Sequence, residues 1–172
     1  LLSLWRHRAP GQLIIQVTDR CNARCPQCGM RSTEQFSRTS LSVDYVKRVL
    51  DAAIQRGISM VSFTGGEPFL YPGLQKILSF ASGIQNLTVY ISTNGTLIGS
   101  PEAKLLKKTG AKVQISIDGS EDYHDKFRGL KGAFKRSSWG IQQLVSADVP
   151  TSVVTTICQE NLDSLPWLAE WA

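Results

Sequence analysis

Cys21, Cys25 and Cys28 stand together in the stretch VTDRCNARCPQCGMR, and their C-x3-C-x2-C spacing puts three soft ligands into one loop. Clustered thiolates bind zinc or iron–sulfur clusters. Three are one short of the four that a closed tetrahedral zinc site or an ordinary four-iron cluster takes. The nearest histidines are His7 and His124, and the fourth cysteine, Cys158, is far along the chain. Either the site is completed from a distance, which makes a structural knuckle, or one metal position stays open. An open position is where a substrate or cofactor binds, which makes an enzyme.

Three further motifs carry polar chemistry. Thr64-Gly65-Gly66-Glu67-Pro68 combines two residues without side chains, which allow close backbone approach and positive φ, with a carboxylate that a plain turn does not require. Ser92-Thr93-Asn94-Gly95 offers hydroxyls and an amide, although Asn-Gly is also a favoured turn pair. In Ser116-Ile117-Asp118-Gly119, strand alternation puts Ser116 and Asp118 on one face. Cys158 reads as a buried strand residue rather than a ligand.

The elements that position these residues alternate regularly. Apolar runs predict strands at 13–17, 60–63, 87–92, 113–117 and 151–157. Helical spacing predicts helices at 43–54, capped by Ser42 and stopped by Gly57, and at 73–84, 133–146 and 161–171. Another helix lies between Pro101 and Gly110. Strict strand–helix alternation implies parallel strands with helices packed outside. Every polar motif falls just after a strand, at the carboxyl edge where parallel α/β folds bind ligands. The cysteines, GGEP, STNG and SIDG are therefore expected to face one shared site.

Composition narrows the class. The 172 residues suit one well-buried domain, and 42% hydrophobic with 19% charged residues is ordinary for a globular protein. No apolar run approaches the ~20 residues of a membrane helix. The opening LLSLWRHRAP places its basic residues after its apolar ones, the reverse of a secretory signal. Clustered thiols without a disulfide pattern point to a reducing cytoplasm. The net charge of +5 is concentrated at 1–38 and 104–136, but aromatics are not interleaved as base-stacking platforms, which argues against nucleic acid. The chain begins at Leu1 and ends in a helix bearing Trp167 and Trp171 four residues apart, so a continuation beyond Ala172 is expected. The domain reading is a lead-in at 1–12 and a core at 13–172.

Cys21-x3-Cys25-x2-Cys28 after one predicted strand, Gly65-Gly66-Glu67-Pro68 after a second and Ser116-Ile117-Asp118-Gly119 after a fourth resemble the radical S-adenosylmethionine (SAM) superfamily, over about Gln12 to Ile157. The resemblance implies a partial TIM-like (β/α)6 barrel of parallel strands, with five β/α units in this chain. It implies a 4Fe-4S cluster held by Cys21, Cys25 and Cys28, with SAM chelating the fourth iron. Reductive cleavage of SAM would then give a 5′-deoxyadenosyl radical that abstracts hydrogen from a substrate. By the same resemblance, Gly65, Gly66, Glu67 and Pro68 bind SAM's amino group, and Ser92 and Asn94 make further polar contacts. Ser116 and Asp118 meet its ribose hydroxyls, and Arg128 grips its carboxylate. One departure is Gln27, where many members carry an aromatic residue before the third cysteine. An electron donor such as flavodoxin or ferredoxin is implied, with Arg24 and Arg31 placed to steer it. The motif set is most similar to members with a C-terminal SPASM-like cluster domain that mature peptides or cofactors. The other readings are a non-catalytic iron–sulfur electron-transfer or interaction protein, and a zinc-binding module.

Overall fold

The computed structural model describes residues 11–30 and 38–172. Five strands form one sheet in the order β1-β2-β3-β4-β5, every neighbouring pair parallel. They are β1 (Leu13–Thr18), β2 (Met60–Gly65), β3 (Thr88–Thr93), β4 (Lys112–Ser116) and β5 (Thr151–Val154). The helices are α1 (Val43–Ile54), α2 (Leu74–Ala81), α3 (Ser100–Thr109), α4 (Glu121–Arg128), α5 (Ala133–Ser146) and α6 (Leu165–Trp171). Short 3₁₀ turns occupy Pro68–Leu70 and Gln159–Ser164.

The strands show why one sheet face is free to build a site. Parallel strands covered on both faces read as continuous apolar runs. Here β3 and β4 alternate strictly between buried and half-buried residues. Val89, Ile91, Val113 and Ile115 turn to the core, joined by Ile15, Val17, Val61 and Phe63 and by the helix residues Val46, Leu50, Ile77, Leu78, Leu106 and Leu144. Phe63 and Ile91 pair across β2 and β3 and are fully buried, each contributing about 1.5–3 kcal/mol. The opposite face is polar: Ser62 lies 3.5 Å from Ser92, whose hydroxyl donates to Gln114 at 3.2 Å.

Local signals account for most element ends. Ser42 Oγ accepts the Tyr45 amide at 3.2 Å and starts α1. The Glu102 carboxylate accepts the Gly99 amide at 2.9 Å and starts α3. Three expectations needed correction. The fifth strand ends at Val154 rather than 157, which leaves Cys158 past the strand and only half-buried. The last helix is split, with a 3₁₀ turn before Leu165 and Pro166 in the first turn of α6, where its missing amide costs nothing. Helix α4 is absent from the sequence reading, because its only buried residue is His124 and it has no apolar stripe to detect.

Candidate cluster and cofactor site

The cysteine loop leaves β1 and is tied to two other strand ends and to the end of α4. Gly66 N–H donates to Thr18 O and Glu67 N–H to Arg20 O, both at 2.7 Å, which staples the GGEP turn to the start of the loop. A Cβ on Gly65 would stand 2.1 Å from Thr18 O, and one on Gly66 2.1 Å from Arg20 O. Gly65 also has φ +140. The glycine pair is thus required by the approach of two backbone segments. In mid-loop, Asn22 donates to Thr96 Oγ1 at 2.8 Å and accepts from Asn94 Nδ2 at 2.9 Å. Asn94 Oδ1 in turn accepts from the Thr96 amide at 2.9 Å and its hydroxyl at 2.6 Å. On the far side, Arg128 O accepts the Arg24 amide at 2.8 Å and the Cys25 thiol at 3.7 Å.

Within the loop, Cys21 Sγ accepts the Ala23 amide at 3.4 Å and Cys28 N–H donates to Cys25 O at 3.1 Å. Cys21 is exposed, Cys28 half-buried and Cys25 buried. Burial pushes the Cys21 and Cys25 thiols up, opposed at Cys21 by the Ala23 amide and at Cys25 by the Arg128 charge. Among the described residues, no three His, Cys, Asp or Glu side chains are grouped as ligands of a single ion. His124, on α4, is fully buried, and His7 lies outside the described residues.

The loop opens onto a cavity of about 470 Å³, inside the ~300–1,000 Å³ range of small-molecule sites. All three cysteines line it, with Gly65 and Gly66, with Ser92 and Asn94, and with Ser116 and Arg128. These residues come from the ends of four strands and from α4, so the shared site inferred from the motif positions exists as a cavity. Three sequence candidates stand behind its wall instead: Glu67, Pro68 and Asp118 are buried and do not line it.

The two carboxylates have different settings. Glu67 is fully buried; it accepts Thr93 Oγ1–H at 2.6 Å and the amides of Asn94 at 2.9 Å and Phe69 at 3.1 Å. Burial raises its pKa despite these neutral donors. Asp118 is also fully buried, but receives Arg128 Nε–H at 2.6 Å, Arg128 Nη2–H at 2.9 Å and the Thr156 amide at 3.1 Å. Burial works to raise its pKa, and the contacts with His124 and Arg128 outweigh it, so the carboxyl sits below the usual range. Alternation placed Asp118 beside Ser116, but β4 ends at Ser116, and Asp118 beyond it is fully buried and does not line the cavity.

The sequence reading missed Asn22, Thr96 and the Arg128 carbonyl. Their contacts join residues up to 103 positions apart, which no local pattern encodes. Cys158, at the head of a 3₁₀ turn, has its Sγ 3.1 Å from the Tyr123 hydroxyl and is outside the cavity lining.

The family model for the radical SAM superfamily matches residues 15–172. An "AdoMet-dependent heme synthase" of Methanosarcina barkeri is 33% identical over 159 residues, 91% of this chain and 45% of that protein. The "sporulation killing factor maturation protein SkfB" of Bacillus subtilis is 32% identical over 163 residues, 94% of this chain and 39% of that protein. The chain therefore spans less than half the length of these relatives. Among solved structures, Streptococcus suis SuiB bound to S-adenosylmethionine superposes with a TM-score of 0.84 at 18% identity, over 99% of this chain and 40% of SuiB. That likeness shows the fold, a partial β/α barrel.

Proposed function

The chain belongs to the radical SAM superfamily, and on that premise we propose that it is the core in which SAM is cleaved reductively at a 4Fe-4S cluster to yield a 5′-deoxyadenosyl radical that abstracts hydrogen from a substrate. The observation that carries the reading is the opening of three loop thiols onto one cavity whose other wall is Gly65, Gly66, Ser92, Asn94, Ser116 and Arg128. Cys21, Cys25 and Cys28 would hold the cluster, and the donor set fits it, since three thiolates leave one iron without a protein ligand. The main chain at Gly65 and Gly66 would take the amino group of SAM. Ser92 and Ser116 offer hydroxyls to its polar edges, and Arg128 a guanidinium to its carboxylate. Glu67, Pro68, Asn94 and Asp118 would support these contacts, Glu67 by holding the ends of β2 and β3 together.

Peptide or cofactor maturation is the substrate class we favour, supported by relatives named for heme synthesis and for maturation of a sporulation killing factor. An acidic electron donor of the flavodoxin or ferredoxin kind fits the basic surround of the loop, where Arg24 is exposed beside the cavity. Arg31, its expected companion, lies outside the described residues. Reversing both charges is expected to slow cluster reduction by flavodoxin and to flatten its salt dependence; an unchanged rate would defeat the idea. A SPASM-like C-terminal domain, a cytoplasmic site of action and the core at 13–172 belong to the same proposal. No helix among the described residues is long and apolar enough to cross a membrane.

Anaerobic reconstitution tests the cofactor assignment. Iron and sulfide are expected near four each per chain, with an EPR signal of the reduced cluster that changes when SAM is added. One zinc per chain and no cluster signal would overturn the assignment in favour of a zinc module.

A further inference from the structure

We propose that Asp118 is a positioning residue for SAM, which does not touch the cofactor but holds Arg128 in the orientation that recognises its carboxylate. The inference rests on the radical SAM reading and changes the role of Asp118 within it, from ribose contact to support. Both oxygens of the buried carboxylate are already engaged. Oδ2 accepts Arg128 Nε–H at 2.6 Å, and Oδ1 accepts Arg128 Nη2–H at 2.9 Å and the Thr156 amide at 3.1 Å. A two-point fork of this kind fixes the plane of the guanidinium as well as its distance. The side chain of Arg128 is 12% exposed and lines the cavity, where its charge also acts on the Cys25 thiol.

The carboxylate is itself anchored through its backbone. Asp118 N–H lies 3.2 Å from His124 Nδ1, and Asp118 O accepts Asn161 Nδ2–H at 2.9 Å. The held residue also reaches the cysteine loop, because Arg128 O accepts the Arg24 amide at 2.8 Å and the Cys25 thiol at 3.7 Å. Gly129 follows with φ +57, and a Cβ there would stand 2.5 Å from Arg24 O. One buried ion pair thus sets both the cation facing the cavity and the backbone that supports the middle cysteine. A group that merely filled space would not need the bidentate fork.

The test compares the affinities of the reconstituted holoprotein for SAM and for decarboxylated SAM, which lacks only the carboxylate. Wild type is expected to prefer SAM through its hold on the open iron position and, in addition, by about tenfold from the charge-assisted contact to Arg128. Arg128→Lys keeps a charge to compensate Asp118 but loses the fork, and Asp118→Asn keeps the shape but loses the charge. Both are expected to lose that tenfold part of the preference while retaining affinity for decarboxylated SAM. The double variant Asp118→Asn/Arg128→Gln, which buries no unpaired charge, is expected to discriminate no worse than Arg128→Gln alone. Equal loss of both ligands in Asp118→Asn, or a double variant whose losses multiply, would mean that Asp118 contacts SAM directly or acts only on folding, and overturns the proposal. A wild-type preference unaltered in Arg128→Lys overturns it too. Wild type that holds a cluster but binds neither ligand defeats the radical SAM reading itself.

Discussion

Glu67 and Asp118 are both wholly buried carboxylates behind the same cavity, yet their pKa values move in opposite directions. The difference lies in the donors. Neutral hydroxyl and amide groups do not offset the burial of Glu67, whereas the contacts with His124 and Arg128 together outweigh that of Asp118. Because the Asp118 pKa is lowered on folding, its ion pair contributes stability above the unfolded value of about 3.9, and that contribution is lost as pH falls through the folded value. The melting temperature of Asp118→Asn is therefore expected to lie below that of wild type at neutral pH and to converge with it in acid. A gap independent of pH would place the cost in shape rather than charge. Glu67 has the opposite sign: its raised pKa means that the folded state favours the neutral acid, and its contribution weakens as pH rises above the ordinary carboxylate value.

At the scale of elements, what was legible in the sequence is what repeats locally. The alternation in TVYIST and KVQIS marks β3 and β4, and the same alternation puts Ser92 and Ser116 on the cavity face. Helix α4 was not legible from periodicity, because it buries one residue and works through main-chain groups at its end. Its punctuation was present: Ser120 and two acids begin it, and Arg128-Gly129 closes it with a left-handed glycine. The loop junctions were half legible. Gly65-Gly66 stood out, but as an approach to a ligand, while the structure presses them against Thr18 and Arg20. Gly66→Ala would place a Cβ 2.1 Å from Arg20 O, closer than any real contact, so the GGEP turn must part from the cysteine loop. The expected result is a lower melting temperature together with substoichiometric iron after reconstitution. Full iron content at wild-type stability would show that the junction does not position the cluster.

For the molecule as a whole, the five parallel strands bring thiols, glycine turn, hydroxyls and arginine to one sheet edge from positions far apart in sequence. No single motif does this; the repeat of strand and helix does, with the apolar strand face packed on helices and the polar face left open. The central claim is that this edge cleaves SAM reductively, and it is tested most directly by incubating the anaerobically reconstituted protein with SAM and dithionite and quantifying 5′-deoxyadenosine. Wild type is expected to form it well above the background set by Cys25→Ala. Equal amounts from the two, with the cluster intact in wild type, would leave an iron–sulfur protein that binds and transfers electrons without radical chemistry.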